Sequence, residues 1–280
     1  MIGVVSELGT ARTVEPMSDN EDLVASGYDL FYSSWGRSPT LRRIWRDHVT
    51  GPDYPEDFAH ISFLPFAQLR ALAEGLDLAA DQRLVDLACG AGGPGLWVAK
   101  QAGARLAGRD LSPVAVERAT ERAVALGLDG RADFAPGSFE QTGLASGSAD
   151  AVMTVDALQY APDKAKAFTE VARVLRNGGR FAFVAFELDA ERIAGLPVWG
   201  DPVGDYRPLL ERTGFEVLSY QQIPNWRDQV TEGFGAVVAE QGALEAELGQ
   251  SAAAATVLEA SLTLELQPYR GHVLAVAVRT

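Results

Sequence analysis

The stretch VDLACGAGGPG, residues 85–95, sets three glycines, Gly90, Gly92 and Gly95, in G-x-G-x-x-G spacing. Glycine there lets backbone approach a ligand closely and turn its N–H groups toward it. The spacing is that of a dinucleotide-binding loop, and an acid, Asp110, follows Gly90 by 20 residues, as ribose recognition asks. A further carboxylate does not suit a dinucleotide. Asp86 precedes Gly90 by four residues, where such loops carry small or apolar side chains. A pyrophosphate would be repelled by it. An ammonium group would be attracted, and the same oxygens can instead take N–H bonds from the loop. Ligand partner and loop anchor are both open for Asp86.

Other reactive side chains are few. The three histidines, His48, His60 and His272, show no metal-ligand spacing, so no metal site is expected. His60 precedes an amphipathic run (ISFLPFAQLRALAE) and is a candidate base, or else a plain loop histidine. His272 begins the last strand-like segment and reads as structural. The single cysteine, Cys89, permits no internal disulfide.

These residues need a scaffold, and the hydrophobic pattern supplies one. Short apolar runs at 83–88, 104–110, 131–137, 149–156 and 180–187 alternate with helix-like runs. Ser112 followed by Pro113 reads as an N-cap opening a helix through Leu126. Asn177-Gly178-Gly179 reads as a helix stop. Single helices between strands imply right-handed βαβ units and a mainly parallel sheet. A final strand closes the chain after an Ala- and Glu-rich helical stretch. The expected fold is α/β, a Rossmann-like doubly wound seven-stranded sheet. Its division is a flexible leader (1–17), an N-terminal helical lid (18–80), a core (81–222), a helical cap insertion (223–268) and a last strand (269–280). Met17 is an alternative start. Trp199, Tyr206, Trp226 and Tyr269 are expected to give the cap an apolar, aromatic lining, with Arg207 among them.

Composition narrows the partners. With 280 residues, 47% hydrophobic, the chain can bury a large core. Its net charge of -14 disfavours nucleic acid and anionic membrane surfaces. Arg42, Arg43 and Arg46 form the densest basic run, read as a solvated helix face. No signal-peptide pattern and no membrane-length apolar run is visible, and a cytoplasmic location is expected.

Four ordered segments together resemble the class I S-adenosylmethionine (SAM)-dependent methyltransferases over roughly 83–187. They are LVDLACGAGG, GRDLSPVAVERA, GSFEQTGLASGSADAVMTVDALQYAPD and EVARVLRNGGRFAFV. The resemblance implies SAM as cofactor, S-adenosylhomocysteine (SAH) as product and a small-molecule acceptor, and leaves a homodimer open. It implies that Asp86 and the backbone of Ala88, Gly90 and Gly92 surround the methionine moiety. Asp110 and Leu111 would hold the ribose, and Ser138 and Phe139 would edge the adenine. Many relatives carry Asp where Ser138 stands. Asp156 would lie beside the methyl-transfer point. Tyr28 and Tyr32, in GYDLFYSSWG, resemble an aromatic lid of the ubiquinone- and sterol-type members that closes over the sulfonium. Gln159 and Tyr160 stand where many relatives carry a His-His pair. A catalytic base would then be His60, Glu187 or Asp156, unless placement of the acceptor suffices. Methyl transfer to a secondary metabolite is the leading expectation. A cyclisation or rearrangement without methyl transfer is the alternative, and a nicotinamide oxidoreductase the third.

Overall fold

In a computed structural model, residues 26, 28–29, 36–189, 192–193 and 202–280 are described. A seven-stranded sheet runs in the order β3-β2-β1-β4-β5-β7-β6. Its strands are β1 (Arg83–Leu87), β2 (Arg105–Asp110), β3 (Ala132–Pro136), β4 (Ala149–Val155), β5 (Leu175–Leu188), β6 (Phe215–Gln222) and β7 (Arg270–Arg279). β1 to β5 are parallel, and β7 lies antiparallel between β5 and β6. The mixed α/β sheet is the fold the sequence pattern predicts.

Helices α1 (Pro39–Trp45) and α2 (Phe66–Leu76) precede the sheet. Helices α3 (Gly93–Ala102), α4 (Pro113–Ala125) and α5 (Lys164–Val174) connect its parallel strands. α6 (Arg207–Arg212) leads into β6. α7 (Trp226–Ala239), α8 (Gln241–Leu248) and α9 (Gln250–Leu266) lie between β6 and β7.

Strand periodicity splits the core into two layers. Leu84, Leu106, Met153, Val184 and Val276 face one side, against Leu69, Leu72 and Leu76 of α2. Val85, Ala107, Val152, Phe181 and Phe183 face the other, against Phe168 and Val171 of α5. Each of these leucines, valines and phenylalanines is almost fully buried, contributing about 1.5–3 kcal/mol by transfer from water.

Two local signals work as read. Ser112 caps α4, its hydroxyl accepting from the N–H of Ala115. The basic run on α1 is spread over a polar surface, where Arg43 pairs with Glu240 and Asp47. One signal is misplaced. Helix α5 ends at Val174, and β5 begins at Leu175, before Asn177-Gly178-Gly179. Gly178 (φ +74°) lies in an irregular stretch of β5, where pairing with β4 shifts from Leu175 opposite Ala149 to Arg180 opposite Ala151. Glycine there permits a bulge inside a strand rather than a helix stop.

Candidate active site

In a sheet of this order, strand direction of growth reverses between β1 and β4, and ligands bind beyond the carboxyl ends there. A deep cleft opens at this point. Its two hollows share Ile61, Ser62, Ala88 and Val155. One is bounded by the glycine loop. The other, about 1380 Å³ of empty space open to solvent, runs past Asp110 and under α7 and α9. Two non-glycine residues at the cleft have left-handed backbone, Ala88 after β1 (φ +55°) and Asp156 after β4 (φ +50°). Such conformations cost energy and cluster at ligand sites.

The glycine-loop hollow is walled by the loop itself together with His60, Asp86, Arg118 and Arg122. Gly90 (φ +54°) lies on its wall, with Ala88, Cys89 and Ala91. Gly92 does not. Its φ of +76° starts α3, and a Cβ there would press on Leu96, Ala119 and Phe134. Its place in the motif serves helix packing rather than contact with the hollow. A Cβ on Gly95 would collide with the carboxylate of Asp86, whose oxygens take the Gly95 N–H. Asp86 therefore anchors the loop to α3, and it also lines the hollow.

Asp110 accepts N–H bonds from Gly90 (2.8 Å) and Ser112 (2.9 Å). The Ser112 hydroxyl also donates to Asp29, tying the N-terminal segment to the start of α4. Burial pushes the carboxyls of Asp86 and Asp110 above the usual range, and for Asp86 the charge of Asp110 adds to the shift. Two desolvated carboxylates in one cleft favour a cationic ligand, which would lower the cost of ionising both. That charge pattern, with the glycine cradle, fits SAM, which when bound supplies an electrophilic methyl group on a sulfonium.

Leu111, Ser138 and Phe139 line the wall beyond Asp110. Ser138 is partly engaged by its own turn, its hydroxyl accepting from the N–H of Gln141 (3.1 Å). Tyr28 also lines the cleft, its ring 5.4 Å from that of Tyr160 in an edge-on contact. Tyr32 lies outside the described residues.

The candidate bases meet different fates. Asp156 lines the cleft with both oxygens engaged: Oδ2 accepts the Phe63 N–H at 2.7 Å, and Oδ1 lies 2.7 Å from His272 Nε2. His272, fully buried, stacks on Phe186 at 4.2 Å and meets Trp226 edge-on. It therefore holds Asp156 in place. His60 borders the glycine-loop hollow, with Nδ1 2.7 Å from the Ser62 hydroxyl. Burial pushes it down to about 4, so it is neutral at pH 7. Gln159 and Tyr160 both line the cleft, and Gln159 donates to the Asp156 carbonyl at 2.6 Å.

Glu187 is a correction. It is placed outside the cleft, accepting from the Tyr220 hydroxyl and the Gln222 amide, each at 2.6 Å. Strand alternation is the reason: Phe186 takes the cleft side of β5, and Glu187 turns to the other. The aromatic lining needs correction too. Tyr206 is buried behind the sheet, donating to the Phe186 carbonyl (3.1 Å), and Trp226 packs behind Phe186. Tyr269 stacks with Arg192 away from the cleft, and Arg207 pairs with Asp205 at the surface. Trp199 lies outside the described residues. The cleft aromatics are instead Trp45, Phe63, Phe186 and Phe234, with Tyr28, Phe139 and Tyr160.

Ser62, Phe63, Phe234, Thr256 and Arg270 also line the site without having stood out in the sequence. Only a glance at which apolar residues alternate on the last strands and α7 would have pointed to Phe234. Nothing local marks the others. Among the described residues no cluster of His, Cys, Asp and Glu is arranged for a metal, and no helix is long and apolar enough to cross a membrane.

Residues 85–183 match the family described as "Methyltransferase domain". The chain is similar to Methyltransferase GfsG of Streptomyces halstedii, 27% identical over 200 residues, which span 65% of this chain and 71% of that protein. It is also 27% identical over 220 residues to 27-O-demethylrifamycin SV methyltransferase of Amycolatopsis mediterranei, covering 72% and 79% of the two chains. In fold it is similar to the [4+2]-cyclase SpnF, with a TM-score of 0.73 at 22% identity, over 96% of this chain and 99% of that one. Solved neighbours of the same fold hold SAM or SAH. These matches agree with the glycine loop after β1, with Asp110 at the end of β2 and with the paired desolvated carboxylates. Residues 85–183 form a methyltransferase domain, and the chain is a SAM-dependent methyltransferase.

Proposed function

We propose that this methyltransferase acts on a small, largely apolar organic acceptor of the secondary-metabolite kind, bound under α7 and α9. The observation that carries this reading is the continuity of the cleft. One end is a glycine cradle with Asp86 and Asp110. The other is a chamber walled by Trp45, Phe63, Phe186, Phe234 and Val237. Apolar chambers with a few polar groups suit drug-sized organic molecules. The rifamycin-type name of one relative supports the same acceptor class.

Within this reading, Asp86 with the backbone of Ala88 and Gly90 receives the methionine moiety. Asp110 with Leu111 receives the ribose, and Ser138 with Phe139 edges the adenine. Tyr28 shields the sulfonium side. Asp156, fixed by His272 and the Phe63 N–H, shapes the junction between cofactor and acceptor. Gln159 and Tyr160 orient the acceptor. His60 is positioned near the cofactor end rather than among the acceptor-facing aromatics, which makes it a loop histidine supporting Ser62. The protein's contribution is then alignment and exclusion of water.

Titration of the protein with SAH, followed by turnover of methyl-labelled SAM against a panel of polyketide and aromatic metabolites, tests this. Label transfer to a panel member is the expected result. A second reading, cyclisation without methyl transfer, draws on one observation: Asp156 and His60 are already engaged within the protein. Conversion of a metabolite without label transfer, with SAH still bound, would favour it.

A further inference from the structure

The acceptor chamber contains one cation whose partner is missing. Arg270 opens β7, opposite Leu188 of β5, and its side chain reaches the chamber wall. Its guanidinium carbon lies 4.5 Å from the Phe186 ring centroid. Its Nε is buried with no hydrogen-bond partner among the described residues. Arg109, buried on β2, shows the contrast. It gives hydrogen bonds to the carbonyls of Thr142 and Gly108 and to the carboxylate of Asp133.

Two oxygen-bearing groups face Arg270, Asp156 and Tyr160. Asp156 has both oxygens committed to Phe63 and His272. Burial pulls the Arg270 guanidinium below its ordinary value, a sign that its charge is poorly compensated. A desolvated arginine without acceptors costs stability, and the five donors of its planar fork suit a carboxylate or another oxyanion. In a chain of net charge -14, an anionic guest needs such a local cation to enter.

We propose that Arg270 recognises an anionic oxygen group on the methyl acceptor, either a carboxylate or an ionised phenol or enol. The inference rests on the chamber being the acceptor site. It also suits a site in which Asp156 and His60 are engaged within the protein. An acidic hydroxyl loses its proton to solvent as it pairs with Arg270. Its oxygen lone pair then forms the bond to the methyl carbon, while the carbon–sulfur bonding pair returns to sulfur. A carboxylate would instead orient an acceptor whose nucleophile lies elsewhere.

The test uses SAH-loaded full-length protein and reads tryptophan fluorescence, since Trp45 lines the chamber. The probes are 2-naphthoate, its neutral counterpart 2-naphthalenemethanol, and 4-nitrophenol, whose ionised form has its own absorbance band. The wild type should bind naphthoate more tightly than the alcohol by roughly tenfold or more, the factor one charge-assisted hydrogen bond supplies. Preference for naphthoate alone assigns a carboxylate. A phenolate band from bound 4-nitrophenol, below the pH of its free titration, assigns an ionised hydroxyl. Arg270→Gln should abolish both effects and Arg270→Lys retain part of them, with SAH affinity unchanged in each. Equal affinity for naphthoate and the alcohol, failure of all three probes to bind, or a preference that survives Arg270→Gln overturns the proposal. Loss of SAH binding by the wild type would strike the cofactor reading instead, and the probes would then be titrated without SAH.

Discussion

The two halves of the cleft are made differently. The half proposed for the cofactor centres on loop backbone held by short-range bonds: the glycine loop, Asp86 on the Gly95 N–H, and Asp110 on the N–H groups of Gly90 and Ser112. The acceptor half is a set of side chains from α1, the loop before α2, the end of β5, α7, α9 and the start of β7. A backbone cradle tolerates little change in shape. A wall of side chains from separate segments can change its guest residue by residue while the cradle stays as it is.

The sharpest way to break that contrast is Gly95→Val. Its side chain would drive into the Asp86 carboxylate, and SAH affinity should fall more than about 100-fold by calorimetry. Normal affinity would mean the cradle is not backbone-limited. Asp110→Ala comes next, because charge-assisted hydrogen bonds are worth roughly 1.5–3 kcal/mol each, and SAH affinity should drop about 10- to 100-fold. The acceptor half should respond in the opposite sense. Thr256→Trp on α9 fills the chamber, so probe binding should weaken by roughly tenfold or more with SAH affinity intact. Parallel loss of SAH binding would show that the halves are not separable.

A pH experiment sharpens the cofactor side. His60 has its pKa lowered by burial to about 4 from an ordinary 6.5. The unfolded chain thus takes up the proton first as pH falls. Stability present above about 6.5 is lost toward pH 4, with a slope of up to about 1.4 kcal/mol per pH unit. Denaturant titrations at pH 7 and 5 should differ by about 1–2 kcal/mol from this group, and His60→Gln should remove that part. The smallest effect is expected at the roof. Arg43→Ala removes a largely exposed ion pair between α1 and Glu240 at the junction of α7 and α8, costing about 0.5 kcal/mol or less in thermal unfolding.

The same contrast explains what could be read beforehand. Asp86, Gly90 and Asp110 lie within 25 residues in the sequence, and their spacing carries their geometry. The Ser112 cap was legible for the same reason. Phe234 and Arg270 line one chamber only because β7 returns to the sheet beside β5, and no local pattern reports that. Glu187 failed as a candidate because one step along a strand reverses the side chain's face. The cap aromatics failed because bulky rings fill the layers behind a site as readily as the site itself.

The position of β7 has a consequence for the order of assembly. It is the last strand in the sequence, yet it is hydrogen-bonded between β5 and β6. A nascent chain that has reached only Leu266 carries the whole glycine loop and both of its acids, but lacks Arg270, His272 and the strand that joins β6 to the rest. Asp156 would then have lost its histidine clamp, and two strand edges would stand open to other chains. On the ribosome, the glycine loop and its two acids are spelled out long before β7 delivers Arg270 and His272 to the cleft.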